Sequence, residues 1–225
     1  MSFSKSYPFL IALKENNSRE WFEANKSAYQ SSQQEMKEFT HLLVDKMKAH
    51  DNVDEGATKI FRIFRDVRFS KDKTPYKTHL SGFLRRATSS LRGGYYFSIQ
   101  PGQSYAGGGF FRPEPADLLH IRKHLDQDAE PLREVLDSEK FKQVFGELGG
   151  EKVKSAPKGF SKENPNIDLI RYKQFIVTHK FTDEEVQDAL FPEKLNEVFR
   201  NMRPFFDVMS EILTTDLNGL PLSDQ

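Results

Sequence analysis

Apolar residues in the first fifty positions recur at helical intervals. Met36, Phe39, Leu43 and Met47 stand three or four residues apart, a spacing that lays one apolar stripe along a helix and leaves the opposite face solvated. The pattern predicts a long amphipathic helix ending near His50. Ahead of it, a short apolar turn at Tyr7 to Leu13 leads into Asn17-Ser18-Arg19-Glu20, where a capping residue followed three positions later by Glu20 predicts a helix start.

From Lys59 the period changes to two. Phe61, Ile63, Val67 and Phe69 alternate with Arg62, Asp66 and Arg68, as in a strand with one buried face, although Phe64 and Arg65 interrupt the two rows. Thr74-Pro75-Tyr76 predicts a turn, because proline fixes its own φ and pushes the preceding residue out of the helical region. His79 to Leu84 then returns as a second strand. Tyr95, Phe97 and Ile99 mark a third, and Pro101-Gly102 turns the chain into a fourth that ends near Phe111. The expected sheet is a four-stranded antiparallel meander, to which the short run Gln174 to Thr178 adds a fifth strand.

Helical spacing returns after Pro113 and Pro115, with Leu118, Leu119, Arg122 and Leu125 on one repeat. Ser138 caps a helix carrying Phe141, Val144, Phe145 and Leu148, expected to stop at Gly149-Gly150. Lys154 to Pro165 reads as an ordered loop. A capping box at Thr182 to Glu185 precedes a last helix, Glu193 to Leu213, whose core stripe is Leu195, Val198, Phe199, Met202, Phe206 and Met209. Nothing repeats and no segment is low in complexity, so the pattern describes a single α+β domain, an antiparallel meander packed by N-terminal and C-terminal helices.

Composition narrows the chemistry. The chain has 225 residues, with 33 basic and 33 acidic side chains, so it lacks the net positive field that collects nucleic acid or anionic lipid. Cysteine is absent, which removes disulfides, thiolate nucleophiles and thiolate metal sites and fits a reducing, cytoplasmic compartment. The N-terminal stretch matches neither a signal peptide nor a membrane span. Twenty phenylalanines against one tryptophan indicate a core of packed aromatic rings.

One segment stands apart. Arg62 to His79 gathers Arg62, Arg65, Arg68, Lys71, Lys73 and Lys77 with Asp66, Asp72, Tyr76 and His79. Strand alternation places Arg62, Asp66 and Arg68 on one face, so Asp66 pairs with one arginine and leaves the other for a carboxylate or phosphate. Arg62, Arg68, Lys73 and Lys77 are the expected anion contacts. Asp66, Tyr76 and His79 form the candidate catalytic set, with Asp66 orienting the cations and Tyr76 and His79 placed for proton transfer. Asp66 and Asp72 are as readily neutralised by the surrounding lysines as by a divalent ion, so neither a metal nor another cofactor is expected. Gly107-Gly108-Gly109 lacks the lysine and hydroxyl of a phosphate loop, and close packing of a strand against an aromatic ring explains it better.

Arg65-Asp66-Val67-Arg68-Phe69 through Asp72-Lys73-Thr74-Pro75-Tyr76-Lys77 resembles the bacterial family catalogued as domain of unknown function 2461. Asn16 to Phe22 with Asn25-Lys26, Gly107 to Pro113, and Asp168 to Arg171 extend the similarity over most of the chain. The resemblance implies one domain in a bacterial cytoplasm and assigns no residue a role. Two expectations for the charged segment remain open. In one it binds or acts on a small anionic or phosphorylated ligand. In the other it is an internal ion-pair network, in a structural or protein-interaction module, that locks the sheet to the Trp21 helix. Convergence of the side chains on a cleft favours the first, and mutual pairing favours the second.

Overall fold

The computed structural model describes residues 3–222. In chain order the elements are α1 (Ser6–Glu15), α2 (Arg19–Ala24), α3 (Lys26–Met47), β1 (Lys59–Ile60), β2 (Leu80–Arg85), β3 (Gly94–Ile99) and β4 (Tyr105–Phe110). They continue with α4 (Pro115–Gln127), α5 (Glu130–Asp137), α6 (Glu139–Phe145), α7 (Ile167–Ile170), β5 (Phe175–Lys180), α8 (Asp183–Gln187) and α9 (Phe191–Thr214). The fold is α+β, and its antiparallel sheet runs β1-β2-β3-β4-β5, the meander that the alternation predicts with its fifth strand in place. Lys59 pairs with Phe83, and Ile60 with Gly82. Among the described residues no helix is long and apolar enough to cross a membrane.

The chain divides into two compact units. One comprises Met1–Arg85, Tyr96–Ala106 and Lys180–Phe199, and the other Arg86–Tyr95, Gly107–His179 and Arg200–Gln225. The boundary falls at the end of β2, within β3, near the start of β4, at the end of β5 and within α9.

In the first unit, Phe39 of α3 is fully buried, with ring centroids 4.8 Å from Phe3, 5.4 Å from Phe97 and 5.7 Å from Phe191. The apolar stripe of α3 thus meets the sheet, as two apolar faces in water must. The stretch from Tyr7 to Leu13 is helical, where a short turn was expected. Tyr7, Leu10 and Leu13 bury one face, and Pro8 sits in the first turn, where its missing N–H costs nothing. Buried Glu35 reaches across from α3 to that helix start, accepting from Ser6 N–H (2.8 Å) and Lys5 N–H (3.2 Å). A carboxylate at the positive end of the α1 dipole is satisfied there.

In the second unit, Tyr95 packs edge-on to Phe206 at 5.0 Å, and the predicted stripe residues Met202, Phe206 and Met209 of α9 are buried. Arg86 is buried with them. Its guanidinium donates to Asp207 (2.6 Å) and Ser210 (3.2 Å) and lies over the Phe206 ring. The glycine run has a steric cause. A Cβ on Gly108 would stand 2.6 Å from the Phe206 ring, and one on Gly109, at φ 127°, would collide with the Phe175 carbonyl.

Two boundaries differ from expectation. Helix α6 stops at Phe145, because Gly146 takes φ 72° and ends the helix before Gly149-Gly150 is reached. The strand expected over Lys59 to Phe69 stops at Ile60. Beyond it the chain leaves the ladder, and only Phe61 N–H to Ser81 O, Arg65 N–H to Pro75 O, Lys77 N–H to Ile63 O and an isolated Phe64–Tyr76 bridge tie the two arms together. Phe69, expected on the buried face, is 97% exposed. Side-chain hydrogen bonds, described next, replace the ladder.

Candidate functional site

Residues 61–79 form an irregular excursion between β1 and β2, and most of their polar groups bond within it. Asp72 accepts from the Thr74 N–H (2.9 Å) and from Arg65 (2.5 Å), and Arg65 also donates to the Thr74 carbonyl at 3.0 Å. The Asp72 carboxyl is held down at about 2, first by the Thr74 backbone N–H and then by Arg65. Lys73 donates to the Val67 carbonyl at 2.9 Å. Arg68 grips Asp66 with two nitrogens, Nη2 at 2.6 Å and Nε at 3.0 Å, and these bonds keep the Asp66 carboxyl below the ordinary carboxylate range. The pair is open to solvent, with Arg68 77% exposed.

Tyr76 is buried. Its ring stacks on Phe22 of α2 with centroids 4.0 Å apart, and burial raises its hydroxyl pKa. Asn17, between α1 and α2, brackets its backbone, accepting from the Tyr76 N–H at 3.1 Å and donating to the carbonyl at 3.0 Å. These contacts hold the excursion against the Trp21 helix, the geometry of the second expectation for the segment.

Arg62, Lys77 and His79 make no such internal pairs. The ammonium of Lys77 lies 5.8 Å from the Phe61 ring centroid, and Lys59 lies over the same ring at 5.1 Å. Among the described residues, none of Lys59, Arg62 and Lys77 has a carboxylate partner within ion-pair distance. Burial lowers the Lys77 pKa, and the charges of Arg62 and Lys59 lower it further. His79 is half-buried, and burial, followed by the Lys77 charge, lowers its imidazole pKa below the ordinary value.

An aromatic row continues from Phe61. Its ring is 6.0 Å from Tyr96 on β3, which is 5.5 Å from Tyr105 on β4. The small Ser81 side chain, opposite Phe61 on the intervening strand, leaves room for that approach. Tyr105 shares a hydrogen bond with Tyr96, and burial and that neighbour push its hydroxyl up to about 12.

The structure therefore groups Arg62, Lys77 and His79 from the expected set and separates from them Asp66 and Arg68, which hold each other, Lys73, which holds a carbonyl, and Tyr76, which is packed away. Sequence reasoning passed over Lys59, Phe61, Tyr96 and Tyr105 as members of the site. The signal for the tyrosine was their polar ends on the solvent-facing side of an alternating strand. Asp66 and Asp72 have separate partners, and no group of three or more His, Cys, Asp or Glu that could hold a metal occurs among the described residues. The Asp168 to Arg171 motif, in the second unit, is likewise engaged: Asp168 pairs with Arg133 at 2.7 Å and Arg171 donates to the Val153 carbonyl at 2.8 Å.

A family model described as a conserved hypothetical protein, DUF2461, matches residues 5–207. No curated protein and no solved structure matches the chain. The chain belongs to the DUF2461 family.

Proposed function

For this member of the DUF2461 family, we propose that Lys59, Arg62 and Lys77 bind a small anionic or phosphorylated molecule over the Phe61 ring, in a cytoplasmic setting. The observation that carries the reading is the convergence of two ammonium groups on one aromatic ring beside a guanidinium, with no carboxylate paired to any of them. Like charges held together cost free energy that a bound anion offsets, and a guanidinium offers carboxylate or phosphate a two-point contact. The row Phe61, Tyr96 and Tyr105 suits a flat organic portion of that ligand. His79, beside Lys77 and with its pKa lowered by burial, is the group that would accept a proton if the ligand is also a substrate.

A second reading has its own support. The bonds of Arg65, Asp72 and Thr74, together with the Asn17 clasp on Tyr76, favour a structural role for the far half of the excursion. The two readings divide the segment between them.

Thermal shift with inorganic phosphate, a nucleoside monophosphate and benzoate tests the anion site. A ligand at one hundred times its Kd stabilises by about 2.7 kcal/mol, which raises Tm by about 5 to 10 °C in a chain of this size. Lys59→Met with Lys77→Met should abolish the shift while leaving the unliganded Tm near wild type. Shifts of equal size in the double variant, or none in the wild type with any probe, would retire the reading.

A further inference from the structure

We propose that His120, His124 and the main-chain carbonyl of Thr215 form one face of a coordination site for a zinc-class divalent transition ion. The site lies in the second unit and is independent of the anion-binding reading. His120 and His124 stand one turn apart on α4, so their side chains share a face. Their Nε2 atoms are 3.2 Å apart, and each approaches the Thr215 carbonyl oxygen, His120 at 2.8 Å and His124 at 3.2 Å.

The carbonyl oxygen only accepts, and its two lone pairs can take one N–H from each imidazole, which leaves the two donors side by side at 3.2 Å. With either nitrogen unprotonated, its lone pair faces the lone pairs of the carbonyl, and a cation at the centre of the triangle attracts all three. Donors around a tetrahedral ion with bonds of 2.0 to 2.1 Å lie about 3.3 Å apart, within about half an ångström of each observed separation.

The surroundings agree. Thr215 follows the last residue of α9, so its carbonyl belongs to the negative end of a long helix dipole, and among the described residues no backbone N–H donates to it. Glu211 and Asp216 add negative charge near His124. A cavity of about 180 Å³ is lined by His124 and Thr215 together with Asp128, Glu211 and Asp216, and a water takes about 30 Å³, so there is room for water beside these two donors. Imidazole donors select zinc, copper, nickel or cobalt over magnesium and calcium. Because the third donor is a main-chain carbonyl, the site needs only two metal-binding side chains.

The test is Zn²⁺ titration of the untagged full chain by calorimetry, with competition against a chromogenic chelator. One ion per chain is expected, with affinity at least about tenfold weaker in His120→Ala and in His124→Ala, as loss of a direct ligand requires if outer partners alone are worth that much. His41→Ala, on an exposed face of α3, should bind as wild type. Far-UV circular dichroism of the metal-free variants confirms that they fold. Should either fail to fold, NMR of the wild type serves: Zn²⁺ must shift the His120 and His124 ring nitrogens first. No stoichiometric binding, unchanged affinity in the two variants, or ring shifts confined to other histidines would overturn the proposal.

Discussion

Arg86 and Arg68 each hold an aspartate, but burial makes the two pairs behave differently. The Arg86 side chain has no exposed surface, whereas its partner Asp207 is 46% exposed. Asp207→Asn therefore takes one carboxylate away from a buried guanidinium and should cost about 3 kcal/mol, the low end for breaking a buried pair because water reaches the vacated side. Arg86→Met fills much of the same volume and leaves the half-exposed Asp207 carboxylate with water and with Arg203, 3.2 Å away, so it should cost about 1 kcal/mol. Urea unfolding of both variants checks the asymmetry, and equal losses would contradict it. Arg68→Lys, by contrast, should leave the urea midpoint unchanged, since solvent already surrounds both partners. Asp72 supplies a pH test. Its folded-state carboxyl lies at about 2, below its ordinary value of 3.8, so its contribution to stability is present above pH 4 and is lost as pH falls through 2. The Thr74 amide proton, followed by NMR, should titrate with a midpoint near 2, and a midpoint at the ordinary carboxylate value would show that the loop bonds do not persist in solution. At this scale the sequence revealed that Arg62 to His79 is chemically dense but not which charges cancel. Arg65, Asp66, Arg68 and Asp72 find partners through a loop conformation that strand alternation does not describe.

Elements with long, uninterrupted periodicity were legible. The stripes of α3 and α9 each extend over several turns, and a one-residue error in reading them would have put charges in the core. The misread strand over Lys59 to Phe69 has the opposite character. Its alternation is broken by Phe64 and Arg65, and Phe64 finds its contacts on Phe22 and Tyr76 instead of in a sheet face. Tertiary packing and side-chain bonds outweighed a short-range pattern. Two substitutions test how the elements are fastened. Glu35→Ala removes the acceptor for the first N–H groups of α1 and should cost about 1 to 3 kcal/mol, measured by denaturant unfolding. Gly109→Ala forces a side chain into a left-handed conformation against the Phe175 carbonyl and should cost at least about 1 to 3 kcal/mol. A neutral result at Gly109 would mean that β4 and β5 do not approach as described.

For the molecule as a whole, the α+β class and the meander order were readable because each strand in turn is separated from the next by turn residues or helices. The boundary between the compact units was not readable. It runs through β3 and α9, where continuous structure leaves no Gly, Pro or Ser-rich linker to mark it. Phe206, at the centre of the second unit, meets Tyr95, Phe110 and Phe205, and Phe206→Ala should cost about 3 to 5 kcal/mol. Lys14→Ala on the exposed face of α1 should change stability by less than about 0.5 kcal/mol, and denaturation midpoints that move together would show that the core had been misplaced. The clasp of Asn17 on Tyr76 has a further consequence, in hydrogen exchange and folding order. The Tyr76 amide is protected by a side chain 59 residues distant in sequence, so its exchange rate reports on the turn between α1 and α2 and not on the sheet beside it. Asn17→Ala should expose that amide to fast exchange while the β3 amides keep their protection. In refolding, the clasp on Tyr76 cannot close until the turn between the N-terminal helices is in place, which makes that one contact a late event set by long-range closure.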